Sequence, residues 1–163
     1  MIPGSLQRLV GAAGLAASFL MFSTPGIALA GPFSGMEGSW TGTGTLQVAD
    51  GGNERIRCRA TYNVASDGNN LKQALRCASD SYKFDLSSNV NAQGSALSGS
   101  WAETNRGING TIEGRATDGE FQALVSANGF AASFQMTTRG NKQTISISSK
   151  NTDLRAVNIT LAK

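Results

Sequence analysis

Residues 55–77 read RIRCRATYNVASDGNNLKQALRC. On the way in, Ile56, Cys58, Ala60, Tyr62 and Val64 occupy every second position, with Arg55, Arg57, Arg59, Thr61 and Asn63 between them. On the way out, Leu71, Leu75 and Cys77 alternate with Lys72, Ala74 and Arg76. A side-chain period of two belongs to strands with one buried face. Between the runs stands Ser66-Asp67-Gly68-Asn69, and Asp-Gly in such a place signals a two-residue hairpin loop whose central residues both take positive φ. That loop pairs Val64 with Leu71, Tyr62 with Gln73, Ala60 with Leu75 and Cys58 with Cys77. The cysteines meet in a register that the turn sets independently, which predicts a Cys58–Cys77 disulfide. Counting out from a two-residue loop puts the pair at a hydrogen-bonded site, with a Cα separation of ~5.5 Å.

The same register aligns the charges. Arg59 falls opposite Arg76, Arg57 and Arg55 extend the row, and Lys72 lies toward the turn. Like charges facing each other destabilise a sheet, so the row is either a solvated face that discourages edge-to-edge pairing or a surface answered by an anion. On the second reading Arg55, Arg57, Arg59, Arg76 and Lys72 are candidate contacts for lipid head groups, lipopolysaccharide phosphates or a partner protein.

From Gly38 onward the chain is rich in Gly, Ser, Thr and Asn, with alternating apolar residues and turn dipeptides about every ten residues. This is the pattern of a β-meander. The segments centre on Trp40–Val48, Ile56–Val64, Leu71–Cys77, Tyr82–Leu86, Leu97–Trp101, Ile108–Gly114, Phe121–Val125, Phe130–Met136, Ile145–Ile147 and Val157–Leu161. The expectation is an all-β antiparallel meander of eight to ten strands, closed as a small soluble barrel, with a β-sandwich as the alternative. Glycines within strands, among them Gly42, Gly44, Gly99, Gly110 and Gly114, mark the bends that barrels need. The inner face carries Trp40, Tyr62, Tyr82, Phe84, Trp101, Phe130 and Phe134. These rings either fill a packed core or line a cup sized for one apolar ligand; Trp40, Tyr62, Phe84, Trp101 and Phe134 are the candidate lining.

Residues 1–30 read as a signal peptide: Arg8 supplies the charge, Leu9–Phe22 the apolar stretch, and Ala28-Leu29-Ala30 the small-x-small cleavage site. Residues 31–163 are then a single domain in the periplasm or outside the cell. Removing Arg8 leaves 13 basic and 11 acidic side chains, a net of +2, too small a balance for nucleic acid. Two cysteines in an exported chain fit one disulfide in an oxidising compartment. Charged and hydroxylated residues share one strand face and apolar ones the other, the reverse of a barrel whose outer band meets lipid, so no membrane insertion is expected after cleavage.

Gly38-Ser39-Trp40, at the opening of the first strand, resembles the Gly-x-Trp of the calycins, the lipocalins and avidins. That resemblance implies a meander barrel that holds a small ligand, and an arginine of the last strand packed over the first-strand tryptophan, for which Arg155 is the candidate. The Thr-Asp-Tyr turn and C-terminal helix of lipocalins are missing.

Catalytic chemistry finds little material. The chain has no histidine, so mechanisms built on imidazole are excluded. Asp80, Ser81, Lys83 and Asp85 lie close in sequence, but a turn and an outer strand face do not make the shared, water-poor pocket that a carboxylate pair or Ser-Lys dyad needs. With the cysteines paired no metal ligand set remains, and Gly42-Thr43-Gly44 opens no helix, as a phosphate loop would. The expectation is a protein that is not an enzyme, without cofactor or metal: an envelope-associated module binding an anionic component or lipid, or alternatively a carrier of a small apolar ligand inside the barrel.

Overall fold

The computed structural model describes residues 30–150 and 152–163; apart from Ala30, the expected signal peptide lies outside the described residues. Ten antiparallel strands follow one another: β1 (Gly38–Val48), β2 (Asn53–Val64), β3 (Asn70–Ala78), β4 (Lys83–Gln93), β5 (Ala96–Glu103), β6 (Ile108–Thr117), β7 (Glu120–Ala127), β8 (Phe130–Arg139), β9 (Lys142–Ser149) and β10 (Leu154–Ala162). Each pairs with its neighbours in sequence, and β1 pairs with β10 to close the barrel. The sandwich alternative is thereby excluded. Along β2, Ile56, Cys58, Ala60 and Tyr62 are buried while Arg55, Arg57, Arg59, Thr61 and Asn63 are exposed, the alternation that closure of a one-faced sheet imposes.

The β2–β3 register is the expected one: Val64 opposite Leu71, Ala60 opposite Leu75, Arg59 opposite Arg76, and Cys58 opposite and disulfide-bonded to Cys77. The turn that sets it is different. Asp67 does not take positive φ, whereas Gly68 does, at 72°. The Gly68 amide donates to Ala65 O (2.8 Å) and the Ala65 amide to Asn70 O (2.9 Å). Ser66–Asn69 is therefore a four-residue loop built on an ordinary turn with glycine in the left-handed position. Its length preserves the register and shifts the hydrogen-bonding phase by one residue. The cysteines consequently face each other at a non-hydrogen-bonded site, where strands approach more closely, and their Cα atoms are 4.1 Å apart. The two-residue Asp-Gly loop with both residues at positive φ does occur, at Asp118 (50°) and Gly119 (77°) between β6 and β7.

The strand glycines sit where neighbouring backbones crowd. A Cβ on Gly110 would stand 1.7 Å from Ser126 O, and one on Gly99 2.3 Å from Asn89 O, so only glycine permits the close backbone approach there.

Candidate functional site

The two ends of the barrel differ. At one end the β2–β3, β4–β5, β6–β7 and β8–β9 turns surround a plug made of residues 31–37, which precede β1. The Gly31 and Phe33 amides donate to Asp67 O (2.9 Å) and Gly68 O (3.1 Å), tying the plug to the β2–β3 turn. Phe33 and Met36 are each 1% exposed and belong to the core. Phe33 stacks on Phe121 with centroids 5.7 Å apart, and the Glu37 carboxylate accepts from the Val64 amide. The strand pattern starts only at Gly38, so the plug was missed in the sequence; its signal is Phe33 and Met36, three apart among Gly, Pro and Ser.

Beneath the plug the interior is packed. Trp40, 0% exposed, donates its indole N–H to Met36 O at 2.8 Å and meets Tyr62 edge-on. Tyr62 donates to Gln143 Oε1 at 2.6 Å, and burial drives its phenol pKa far above the ordinary range, against the opposing hydrogen bonds of Gln143 and Gln73. The cation over Trp40 is Lys163, with Nζ 5.7 Å from the ring and also donating to Gly35 O at 3.3 Å. The expected Arg155 instead points outward from β10 and bonds Lys150 O.

The opposite end carries no comparable plug among the described residues, and there the wall from β4 to β9 is incompletely covered. Phe84, Leu86, Trp101, Ile112, Phe134 and Ile147 all point inward, yet remain only half-buried. Of the candidate lining residues, the structure brings Phe84, Trp101 and Phe134 to this wall and sets Trp40 and Tyr62 in the packed floor instead. Trp101 lies opposite Gly110. The absent side chain lets the indole reach across to donate to Ser126 O (3.2 Å), and Phe130 tilts against it at 5.7 Å. Next to Trp101 in the same cross-strand row stand Ser88 and then Gln73, both half-buried, with the Ser88 hydroxyl donating to Gln73 Oε1 at 2.9 Å. The wall is thus aromatic with one polar pair, the make-up of a small-molecule site.

At the rim, Arg106 lies 5.1 Å over the Phe84 ring, and Phe84 stacks on Tyr82. Arg106 is held by Glu103, whose carboxylate is 3.5 Å away. Glu103 is buried and accepts from the amides of Asp85 (3.1 Å), Asn105 (3.2 Å) and Arg106 (2.8 Å). Burial pushes its pKa up, but those amides together with the Arg106 charge prevail and hold it below the ordinary glutamate value. This is a structural brace for the β5–β6 loop, and its carboxylate has no free face for chemistry. Among the described residues no cluster of three or more His, Cys, Asp or Glu is placed to hold a metal.

On the outer wall, Arg55, Arg57 and Arg59 lie beside Thr45, Thr43 and Thr41 of β1. Arg76 is answered by Asp85 at 3.1 Å, and Lys72 sits between Asn63 and Asn89. The expected row is present, but of its members only Arg76 has an ion-pair partner among the described residues; Arg55, Arg57 and Arg59 of β2 and Lys72 of β3 have none.

No family model matches the chain, and no curated protein does. Among solved structures, it is similar to Rv2717c from M. tuberculosis (TM-score 0.61, 12% identity, covering 80% of this chain and 93% of that one). It is also similar to the S-type phycobiliprotein lyase CPES from Guillardia theta (TM-score 0.59, 12% identity, covering 80% and 89%). The likeness is one of fold: the neighbours are ten-stranded antiparallel barrels.

Proposed function

We propose that the protein is a non-enzymatic binding barrel, exported to an oxidising compartment of the cell envelope or beyond it, that takes one small, largely apolar ligand through its unplugged end. The observation that carries this reading is the half-buried inward wall of Phe84, Trp101 and Phe134 above a floor sealed by Phe33 and Met36. Apolar rings left accessible inside a barrel cost free energy, about 25 cal/mol for each Å² kept wet, and a ligand recovers that cost. One of the similar structures is a phycobiliprotein lyase, a precedent at the level of the fold. The disulfide supports export, since such bonds persist in oxidising compartments.

Titration with the hydrophobic dye N-phenyl-1-naphthylamine tests the reading. Saturable binding at one site, weakened about tenfold or more by Trp101→Ala through loss of aromatic contact, is expected. A folded protein that binds no dye, or a Trp101→Ala variant that binds as well as the parent, would overturn it.

A further inference from the structure

The three β2 arginines border a face of unusual composition. Thr43 of β1 lies opposite Thr160 of β10, Thr160 opposite Thr144 of β9, and Thr144 opposite Thr137 of β8, a ladder of four threonines across four strands. The next row reads Thr45, Asn158, Ser146 and Gln135. All of these point outward, and all but Thr137 are exposed. They floor a shallow depression of about 460 Å³ that runs on to Arg55. Strand geometry spaces the hydroxyls and amides by ~4.8 Å across the sheet and ~6.8 Å along it, and spaces the arginines by ~6.8 Å.

We infer that this face binds an extended acidic polysaccharide, whose acid groups meet Arg55, Arg57 and Arg59 while its ring hydroxyls exchange hydrogen bonds with the Thr/Ser/Asn/Gln field. Charge complementarity sets one half of the argument. Arg76 has Asp85, but no carboxylate among the described residues forms an ion pair with the β2 arginines, which stand in line beside neutral threonines. The chemistry of the field sets the other half. Protein interfaces are anchored by buried aromatic, Met and Arg side chains, membrane-surface contacts by Trp, Phe and Leu, and single-stranded nucleic acid by stacked aromatic platforms. This face has no such apolar anchor. The exposed large hydrophobic residues among the described ones are Ile108 and Leu124, on β6 and β7. A partner recognised here is polar along its whole length, gives and accepts hydrogen bonds, and carries spaced negative charge. An acidic polysaccharide meets all three conditions.

Polygalacturonate and neutral dextran are the probes, titrated against the protein at low and high salt. Binding of polygalacturonate, weakened by salt, and no detectable binding of dextran are expected. Replacing Arg55, Arg57 and Arg59 together by Gln weakens binding about tenfold or more, and the near-isosteric pair Thr144→Val with Thr160→Val weakens it a further few-fold at fixed salt, as lost hydrogen bonds require. Both variants keep the hydrophobic dye, which separates this surface from the interior cup. Failure of the parent protein to bind polygalacturonate overturns the inference. So does undiminished binding by the valine pair, or equally tight binding of phosphatidylglycerol vesicles that ignores the valine pair; each leaves only an unspecific charge. Should the arginine triple fail to fold, the valine pair and the dextran comparison still decide.

Discussion

Trp40 and the cation above it locate what single residues do at the plugged end. Lys163 covers the ring and reaches Gly35 O, joining the chain beyond β10 to the plug. It escaped the sequence reading because it follows the last alternating segment, and side-chain direction there is set by the closure of β1 on β10. Lys163→Ala is expected to lower stability by about 0.5–1 kcal/mol, read as a shift in urea midpoint. Glu103 makes a pH prediction. Its folded pKa lies below the ordinary 4.5, so its contribution is fully present above that value and is lost as pH falls through the lower, folded pKa. Protection of the Asn105 and Arg106 amides, relative to their intrinsic exchange at each pH, should therefore fall on acidification below about pH 4.5, and in Glu103→Gln it should be low already at neutral pH. Protection with no such pH step would remove Glu103 from the role of brace.

Among elements, the β2–β3 hairpin was the most legible. Alternation assigned both strands, and the total length of the connection, common to a two-residue and a four-residue loop centred on the same point, assigned the register. What alternation does not contain is the φ of Asp67, so the hydrogen-bonding phase and the closeness of the cysteines became visible only in the fold. The cross-link separates Cys58 and Cys77 by 19 positions, and a loop of that size should stabilise by ~2–4 kcal/mol through the unfolded chain; reductant should lower the melting temperature, and an unchanged value would mean that the bond contributes nothing. The plug was illegible for the opposite reason: seven residues with two apolar side chains have no periodicity to detect. Phe33→Ala should cost about 3–5 kcal/mol, the range for a large side chain removed from a packed site, whereas a surface-loop role would leave stability almost unchanged.

For the whole molecule, closure and asymmetry matter together. Ten strands enclose more space than eight, and Gly42, Gly44, Gly99, Gly110 and Gly114 let neighbouring backbones approach closely within the wall. Residues 31–37 close one end, and the inward rings of β4–β9 stay half-buried toward the other. The sequence made the inner set of rings readable but not which of them pack and which line a space, because that depends on which end the plug occupies. Trp40 and Tyr62 went to the floor, and Phe84, Trp101 and Phe134 to the wall. The basic row was equally legible, and its partition into Arg76, paired with Asp85, Lys72 between two asparagines, and three β2 arginines beside threonines followed from the neighbouring strands.

Whether the cup holds an apolar molecule is read by native mass spectrometry of the protein recovered from its own compartment, run beside the Trp101→Ala variant. A mass increment of one small molecule on the parent, extractable into organic solvent, and its loss or sharp reduction in the variant are expected. A parent protein found only at its bare mass, which also fails to take up hydrophobic dye afterwards, would contradict it.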